Sequence, residues 1–170
     1  NAAKMGKARN ATCRRCKANC ETPEHVVSCC PFQRHTGYVE RHNAVAKVIY
    51  KAMAKQYGLD VKMRNPQKVV NKDGIELRWD QNIHVSTSIR YTKPDIVIID
   101  KVSRRAHLIE VGVSWHERLR TQQRRKLYKY ERNSTLDENT ALDKWDAGPN
   151  LVAAMKSDLN LDATVYPIVI

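Results

Sequence analysis

The sequence predicts an α/β protein: a mixed β-sheet flanked by helices, with a small cysteine-rich unit in front of it. Three observations carry this reading. All five cysteines fall between residues 13 and 30, so one short segment differs chemically from everything after it. Apolar residues then recur at helical spacing over 37–57 and change to strand-like alternation and β-branched runs from Leu59 onward. Past the cysteine segment the order becomes helix, strands, helix, helices, strand, the pattern of an α/β fold with a mixed sheet. The expected division is therefore 1–36 and 37–170.

At 170 residues the chain can hold one ordinary domain plus a small appendage. Its 42% hydrophobic content is enough for a real core. Thirty Lys and Arg against eighteen Asp and Glu give a net charge of +12. That excess points to a polyanionic partner, nucleic acid ahead of a membrane surface, and to salt-dependent binding. No apolar run approaches the length of a membrane span and no signal-peptide pattern is present, so no membrane partner is expected. The chain begins at Asn1 and ends within the apolar run 165–170, so both ends are expected to be cuts from a longer polypeptide.

Residues 1–12 are basic and lack apolar periodicity, as an exposed lead-in would. The next segment pairs Cys13-x2-Cys16 with His25, Cys29 and Cys30. A disulfide framework would spread its cysteines through the fold, and five is an odd number. Clustered thiols with a histidine point instead to a metal in a reducing compartment. Cys13-x2-Cys16 is the tight turn in which two thiolates grip one Zn²⁺. His25 and a later cysteine complete the set from a short helix opened by Thr22 as N-cap and Pro23 at the first helical position. Spacing alone admits either Cys29 or Cys30. Cys20 and the remaining cysteine are expected bystanders. So small a unit has almost no core, which makes the metal its source of folding energy.

The helix over 37–57 is expected to bury Val45, Val48, Ile49, Ala52 and Met53, and to end at Gly58. Lys68-Val69-Val70 and Ile75 to Trp79 flank Asn71-Lys72-Asp73-Gly74, a hairpin signal through Asp-Gly. Residues 83–89 alternate, as a short strand or an extended connection would. Two β-branched runs follow, 94–100 and 107–113, joined by a polar turn of hairpin length. A basic helix is expected over 116–132, where seven of seventeen residues are Lys or Arg. Further helices are expected over 136–145 and 150–158, then a terminal strand over 164–170.

Each β-branched run carries one acid that an apolar core would not select: Asp95 after Pro94, and Glu110, with 14 residues between them. A hairpin brings two such carboxylates together at one end of a sheet, making an oxygen-rich site suited to Mg²⁺. With a lysine, these are the ingredients of metal-dependent phosphodiester cleavage. Many nucleases of this kind place that lysine two residues after the second acid. Here the position is Gly112, so the lysine must come from elsewhere, and the basic helix offers Lys126 and Lys129. Arg14, Arg15 and Lys17 beside the first cysteine pair are expected phosphate contacts; Arg41 and His42 on the first long helix, a polar face when taken alone, and Arg124 and Arg125 on the basic one are further expected nucleic-acid contacts.

In order, the motifs are Cys13-x2-Cys16-x8-His25-x4-Cys30, Arg41-His42-Asn43, Trp79-Asp80-Gln81-Asn82-Ile83, Lys93-Pro94-Asp95, the Glu110 strand, Lys126-x2-Lys129-Tyr130 and Pro167-Ile168-Val169. This succession resembles the C-terminal region of site-specific non-LTR retrotransposon proteins that carry a restriction-like endonuclease, a branch of the PD-(D/E)XK fold with a CCHC zinc knuckle. The resemblance covers about residues 13–170. It implies Cys30 rather than Cys29 as the fourth zinc ligand. It implies Asp95 and Glu110 as ligands of Mg²⁺ or Mn²⁺, Lys126 as the lead catalytic lysine, and Lys129 and Tyr130 in support. It further implies a nuclear DNA endonuclease that nicks double-stranded target DNA to prime reverse transcription. Its partners would be the element RNA and a reverse transcriptase domain in the same polypeptide. Many relatives carry Asp at the Glu110 position. No polymerase motif such as Tyr-x-Asp-Asp is present. The competing expectations are a catalytically silent nucleic-acid-binding module of the same fold, and a repair or junction nuclease.

Overall fold

The computed structural model describes residues 11–34, 37–62, 66–131 and 149–170, together with Gly6. The helix expected over 136–145 lies outside the described residues. After the Cys/His segment come a short helix α1 (Pro31–Arg34) and a long helix α2 (Gly37–Gln56). Strands β1 (Val69–Lys72), β2 (Ile75–Trp79), β3 (Ile96–Asp100) and β4 (Arg105–Gly112) follow, then α3 (Leu119–Tyr130), α4 (Leu151–Leu159) and β5 (Asp162–Val169). The five strands lie in the order β1-β2-β3-β4-β5. β1 to β4 form an antiparallel meander, and β5 joins β4 in parallel, so the sheet is mixed as expected.

Local chemistry explains the turns. Asp73 and Gly74 both take positive φ (50° and 83°), the geometry a two-residue hairpin needs to match strand twist. Between β3 and β4, Asp100 Oδ1 accepts hydrogen bonds from the Val102 and Ser103 amides, at 2.9 and 3.0 Å. A parallel β4–β5 pair requires a long crossover, which begins with α3. Asn150 caps α4 by accepting from Ala153 N at 2.8 Å, and Asn160 ends it in the left-handed conformation.

Successive residues of β3 face opposite sides of the sheet, and both sides are covered, which is why Ile96 to Ile99 reads as an unbroken apolar run. Ile96 and Ile98 pack with Ile109, Val111 and α2. Val97 and Ile99 pack with Leu108, Tyr130, Leu151 and Met155, under α3 and α4. The outward amides of β5 are guarded: Val165 N donates to Glu131 Oε1 at 2.9 Å, and Pro167, on the same edge, has no N–H.

One expectation changes. The buried face of α2 is Ala46, Tyr50 and Ala54, flanked by Val45, Ile49 and Met53, whereas Val48 is 67% exposed and Ala52 is also exposed. Tyr50 sets this rotation. Its ring packs 5.4 Å from that of Trp79, its hydroxyl donates to the Gln67 carbonyl at 2.6 Å, and small Ala46 and Ala54 let the helix approach. Residues 83–89 form an extended connection rather than a strand, held by Ile83 N to Thr92 O (2.7 Å) and by Asp158, which accepts from both Ser86 and Thr87. No helix among the described residues is long and apolar enough to cross a membrane.

Candidate metal centre and acid site

Cys13, Cys16, His25 and Cys30 bring their ligand atoms within 4.8 Å of one another, in a cluster that can hold a metal such as zinc. Cys13 Sγ lies 3.9 Å from Cys30 Sγ, and Cys16 Sγ lies 3.3 Å from His25 Nε2. A tetrahedral zinc with Zn–S bonds of about 2.3 Å requires sulfur–sulfur edges of about 3.8 Å and slightly shorter sulfur–nitrogen edges. The choice between Cys29 and Cys30 follows from the backbone. Residues His25–Cys29 form a π-helical turn closed by Cys30 N donating to His25 O at 2.6 Å, a widened turn that aligns positions five apart. Cys29 and Cys20 are exposed. Thr22 acts as expected at the helix start, its Oγ1 accepting from His25 N at 3.0 Å. The first pair is prepared to ionise. The Cys16 amide, and those of Ala18 and Asn19, donate to the sulfurs of Cys13 and Cys16 respectively and hold both thiols below their usual range. Burial pushes the Cys30 thiol up.

Among the described residues, polar contacts dock this unit on the sheet domain. Arg41 Nη2 donates to the Val27 carbonyl at 2.7 Å, Trp115 N donates to Ser28 Oγ at 2.9 Å, and Arg118 pairs with Glu24 at 2.9 Å.

The second site lies where β3 and β4 meet the ends of α2 and α3. The register Ile96↔Ile109, continued by one residue, places Asp95 opposite Glu110. Asp95 Oδ2 accepts from Val111 N at 2.7 Å and lies 3.1 Å from His42 Nε2. Glu110, only 4% exposed, accepts from Lys126 Nζ (3.1 Å) and Lys129 Nζ (2.9 Å) on Oε1. The Tyr130 hydroxyl lies 3.1 Å from Glu110 Oε2 and 2.9 Å from the Lys93 carbonyl, sharing its one proton between them. Burial and the adjacent Glu110 charge push the Tyr130 phenol far up, so it stays a donor. Lys126 also acts electrostatically on Asp95 and His42.

Gly112 leaves room for the Lys126 side chain. A Cβ built there would lie 2.7 Å from Lys126 Cε and 3.3 Å from Val169 Cγ2. The side chain missing from β4 leaves the slot through which the α3 lysine reaches Glu110.

His42, expected as a nucleic-acid contact, is instead spent on Asp95, with its Nδ1 3.1 Å from Asn43 Oδ1. Arg41 is likewise spent on the Val27 carbonyl. Arg14 grips Glu21 through both side chain and backbone, at 2.7 to 3.0 Å, and holds that carboxyl down to about 2. Arg15 lies over the Phe32 ring, 5.4 Å from its centroid, while Lys17, Arg124 and Arg125 are exposed. Asn43 and Gly112 are further residues of the site. Asn43 had a signal in the Arg41-His42-Asn43 motif, whereas Gly112 was visible only as an absent lysine.

The His42–Asp95 pair gives a pH prediction. The Asp95 hydrogen bond raises the His42 pKa against the opposing effect of burial. Burial opposes ionisation of Asp95, but His42, the Val111 amide and Lys126 together hold it low. Stability from a raised histidine is complete below its unfolded pKa, about 6.5, and is lost as pH rises through the folded value. Stability from a depressed aspartate is present above about 3.9 and is lost as pH falls through its folded value. The pair is thus at full strength between about pH 4 and 6.5. In metal-free protein, NMR titration of His42 should show a midpoint above 6.5, returned to the ordinary range by Asp95→Asn; an unshifted midpoint contradicts the pairing.

Comparison with known protein families, with curated proteins and with solved structures found no match for this chain.

Proposed function

We propose that this chain is a metal-dependent DNA endonuclease of the restriction-like, PD-(D/E)XK type. It would come from a non-LTR retrotransposon protein and nick target DNA in the nucleus to prime reverse transcription. The observation that carries the reading is the placement of Asp95 opposite Glu110, with His42, Lys126, Lys129 and Tyr130 converging on them from two helices. The donor set suits a hard divalent cation, since both acids offer oxygens and every partner on the described contacts is an N–H or O–H donor that a cation can replace. When bound there, Mg²⁺ or Mn²⁺ supplies charge to the scissile phosphate and lowers the pKa of an attacking water. Lys126, released from Glu110, is placed to hold a phosphate oxygen, with Lys129 and Tyr130 keeping Glu110 oriented. His42 fixes Asp95. The net charge of +12 supports a DNA partner. In the full polypeptide, element RNA and a reverse transcriptase domain complete the proposed assembly, with zinc holding the knuckle.

Supercoiled plasmid tests this directly. Mg²⁺- or Mn²⁺-dependent conversion to the nicked circle is expected, and Asp95→Ala should abolish it. Equal nicking by wild type and variant would remove the enzyme claim.

One observation favours a second reading, the catalytically silent binding module. Glu110 Oε1 already accepts from two ammonium groups, an arrangement that serves as a structural ion cluster without any metal.

A further inference from the structure

Between the Cys/His unit and the sheet domain lies a cleft of about 370 Å³. Its walls come from segments far apart in the chain: Val27 and Ser28 on the π-helical turn, Gln33 on α1, Tyr38 at the start of α2, and Arg118 and Gln122 around the start of α3. No lining residue is acidic. The walls are built rather than incidental. The Val27 carbonyl is held by Arg41, Ser28 Oγ by the Trp115 amide, and Arg118 by Glu24. The far wall continues into the acid site, because the Tyr38 ring stacks with His42 (6.3 Å between centroids, 26° between planes) and His42 holds Asp95.

Size and chemistry select the occupant. Ligand clefts run from about 300 to 1,000 Å³, so this one is at the small end, too small for a duplex and large enough for one nucleotide. Tyr38 offers a stacking surface, and the amides of Gln33 and Gln122 offer paired donors and acceptors for a base edge. The Ser28 hydroxyl accepts from Trp115 N and keeps its own proton to donate.

We propose that this cleft is a subsite for one unpaired nucleotide of the cut strand, next to the scissile phosphate, with Tyr38 stacking its base and Gln33 and Gln122 reading its edge. The proposal rests on the endonuclease reading and adds a specificity device to it. A base reaches such a subsite only by leaving the duplex, at a cost of a few kcal/mol that is least at weakly paired steps. Half of the subsite is the Cys/His unit, which gives that unit a role in site choice beyond general affinity for DNA.

The test uses duplex oligonucleotides with randomised positions around a nicking site, cut by wild type, Gln33→Ala and Gln122→Ala, with the product ends sequenced. The expected result is a preference at one position adjacent to the cut. It should weaken about tenfold in the glutamine variants while the best sequences are still cut, since a good side-chain contact to a base supplies about that discrimination. A second readout places 2-aminopurine at that position in duplex bound with Ca²⁺ in place of Mg²⁺. Its fluorescence should change on binding wild type, and the change should be reduced in Tyr38→Leu. Unchanged preference in both glutamine variants, with an unchanged 2-aminopurine signal, overturns the subsite and leaves the nuclease standing. Wild type that neither nicks nor binds duplex overturns the endonuclease reading, and the subsite with it.

Discussion

Removing zinc is expected to unfold residues 13–30 while leaving the sheet domain folded. Structural zinc contributes on the order of 10–16 kcal/mol to small fingers of this type, more than such a segment's contacts can replace. The four ligand atoms converge within 4.8 Å, and Cys13, His25 and Cys30 are among the few buried side chains of the segment. Without a metal, the thiolates that backbone amides favour at Cys13 and Cys16 would repel each other at this range. The sheet domain does not depend on them. Neither core cluster contains a residue before Val45. Protein as isolated should carry about one zinc equivalent, lost on Cys16→Ser. Chelated protein should be cut by trypsin at Arg14, Arg15 and Lys17 while a fragment beyond residue 36 resists digestion. A metal-free protein equally protected at those three residues would show that the cluster does not hold the unit together.

On the proposed endonuclease reading, Lys126→Ala is expected to lower nicking by about 10²–10³-fold, the usual cost of losing one group that stabilises transition-state charge. The same variant should bind Mn²⁺ more tightly when DNA is absent, because Lys126 competes for Glu110 Oε1 at 3.1 Å. A lysine serving only structure would not produce that opposite pair of effects, and weaker Mn²⁺ binding by Lys126→Ala would exclude the competition. Gly112→Ala is expected to act through the same residue. The added methyl would meet Lys126 Cε at 2.7 Å and push a flexible side chain aside at little cost to the fold, so activity should fall more than stability. Putting the lysine on β4 in the double variant Gly112→Lys, Lys126→Ala should recover part of the activity. Equal activity for Lys126→Ala alone and for the double variant would show that the slot at Gly112 does not stand in for a lysine there.

Much of the fold was legible because its signals are local. Asp73-Gly74 defines a hairpin through backbone conformations that few residue pairs adopt, and Ile96 to Ile99 marks a strand covered on both faces. The buried face of α2 is not legible, because Val48 and Ala52 fit the helical period as well as Ala46 and Ala54 do. Periodicity counts apolar residues, whereas burial is decided by the one large side chain that finds a socket, here Tyr50 against Trp79. Among the site residues, the two acids and the lysines could be singled out by type. The duties of His42, Arg41 and Arg14 could not, because a basic side chain reads the same whether it meets a phosphate, a carboxylate or a carbonyl.

By itself the sequence determined the excess of positive charge, the Cys/His ligand types, the strand–turn–strand carrying Asp95 and Glu110, and the mixed α/β order. Each depends on residue identity or on neighbours a few positions apart. Tertiary structure decided the rest: His42 on Asp95 across 53 positions, and Lys126 crossing Gly112 to Glu110. These pairings join segments whose separation in the chain says nothing of their distance. Only the packing of α2 and α3 against opposite faces of the sheet brings them within hydrogen-bonding reach.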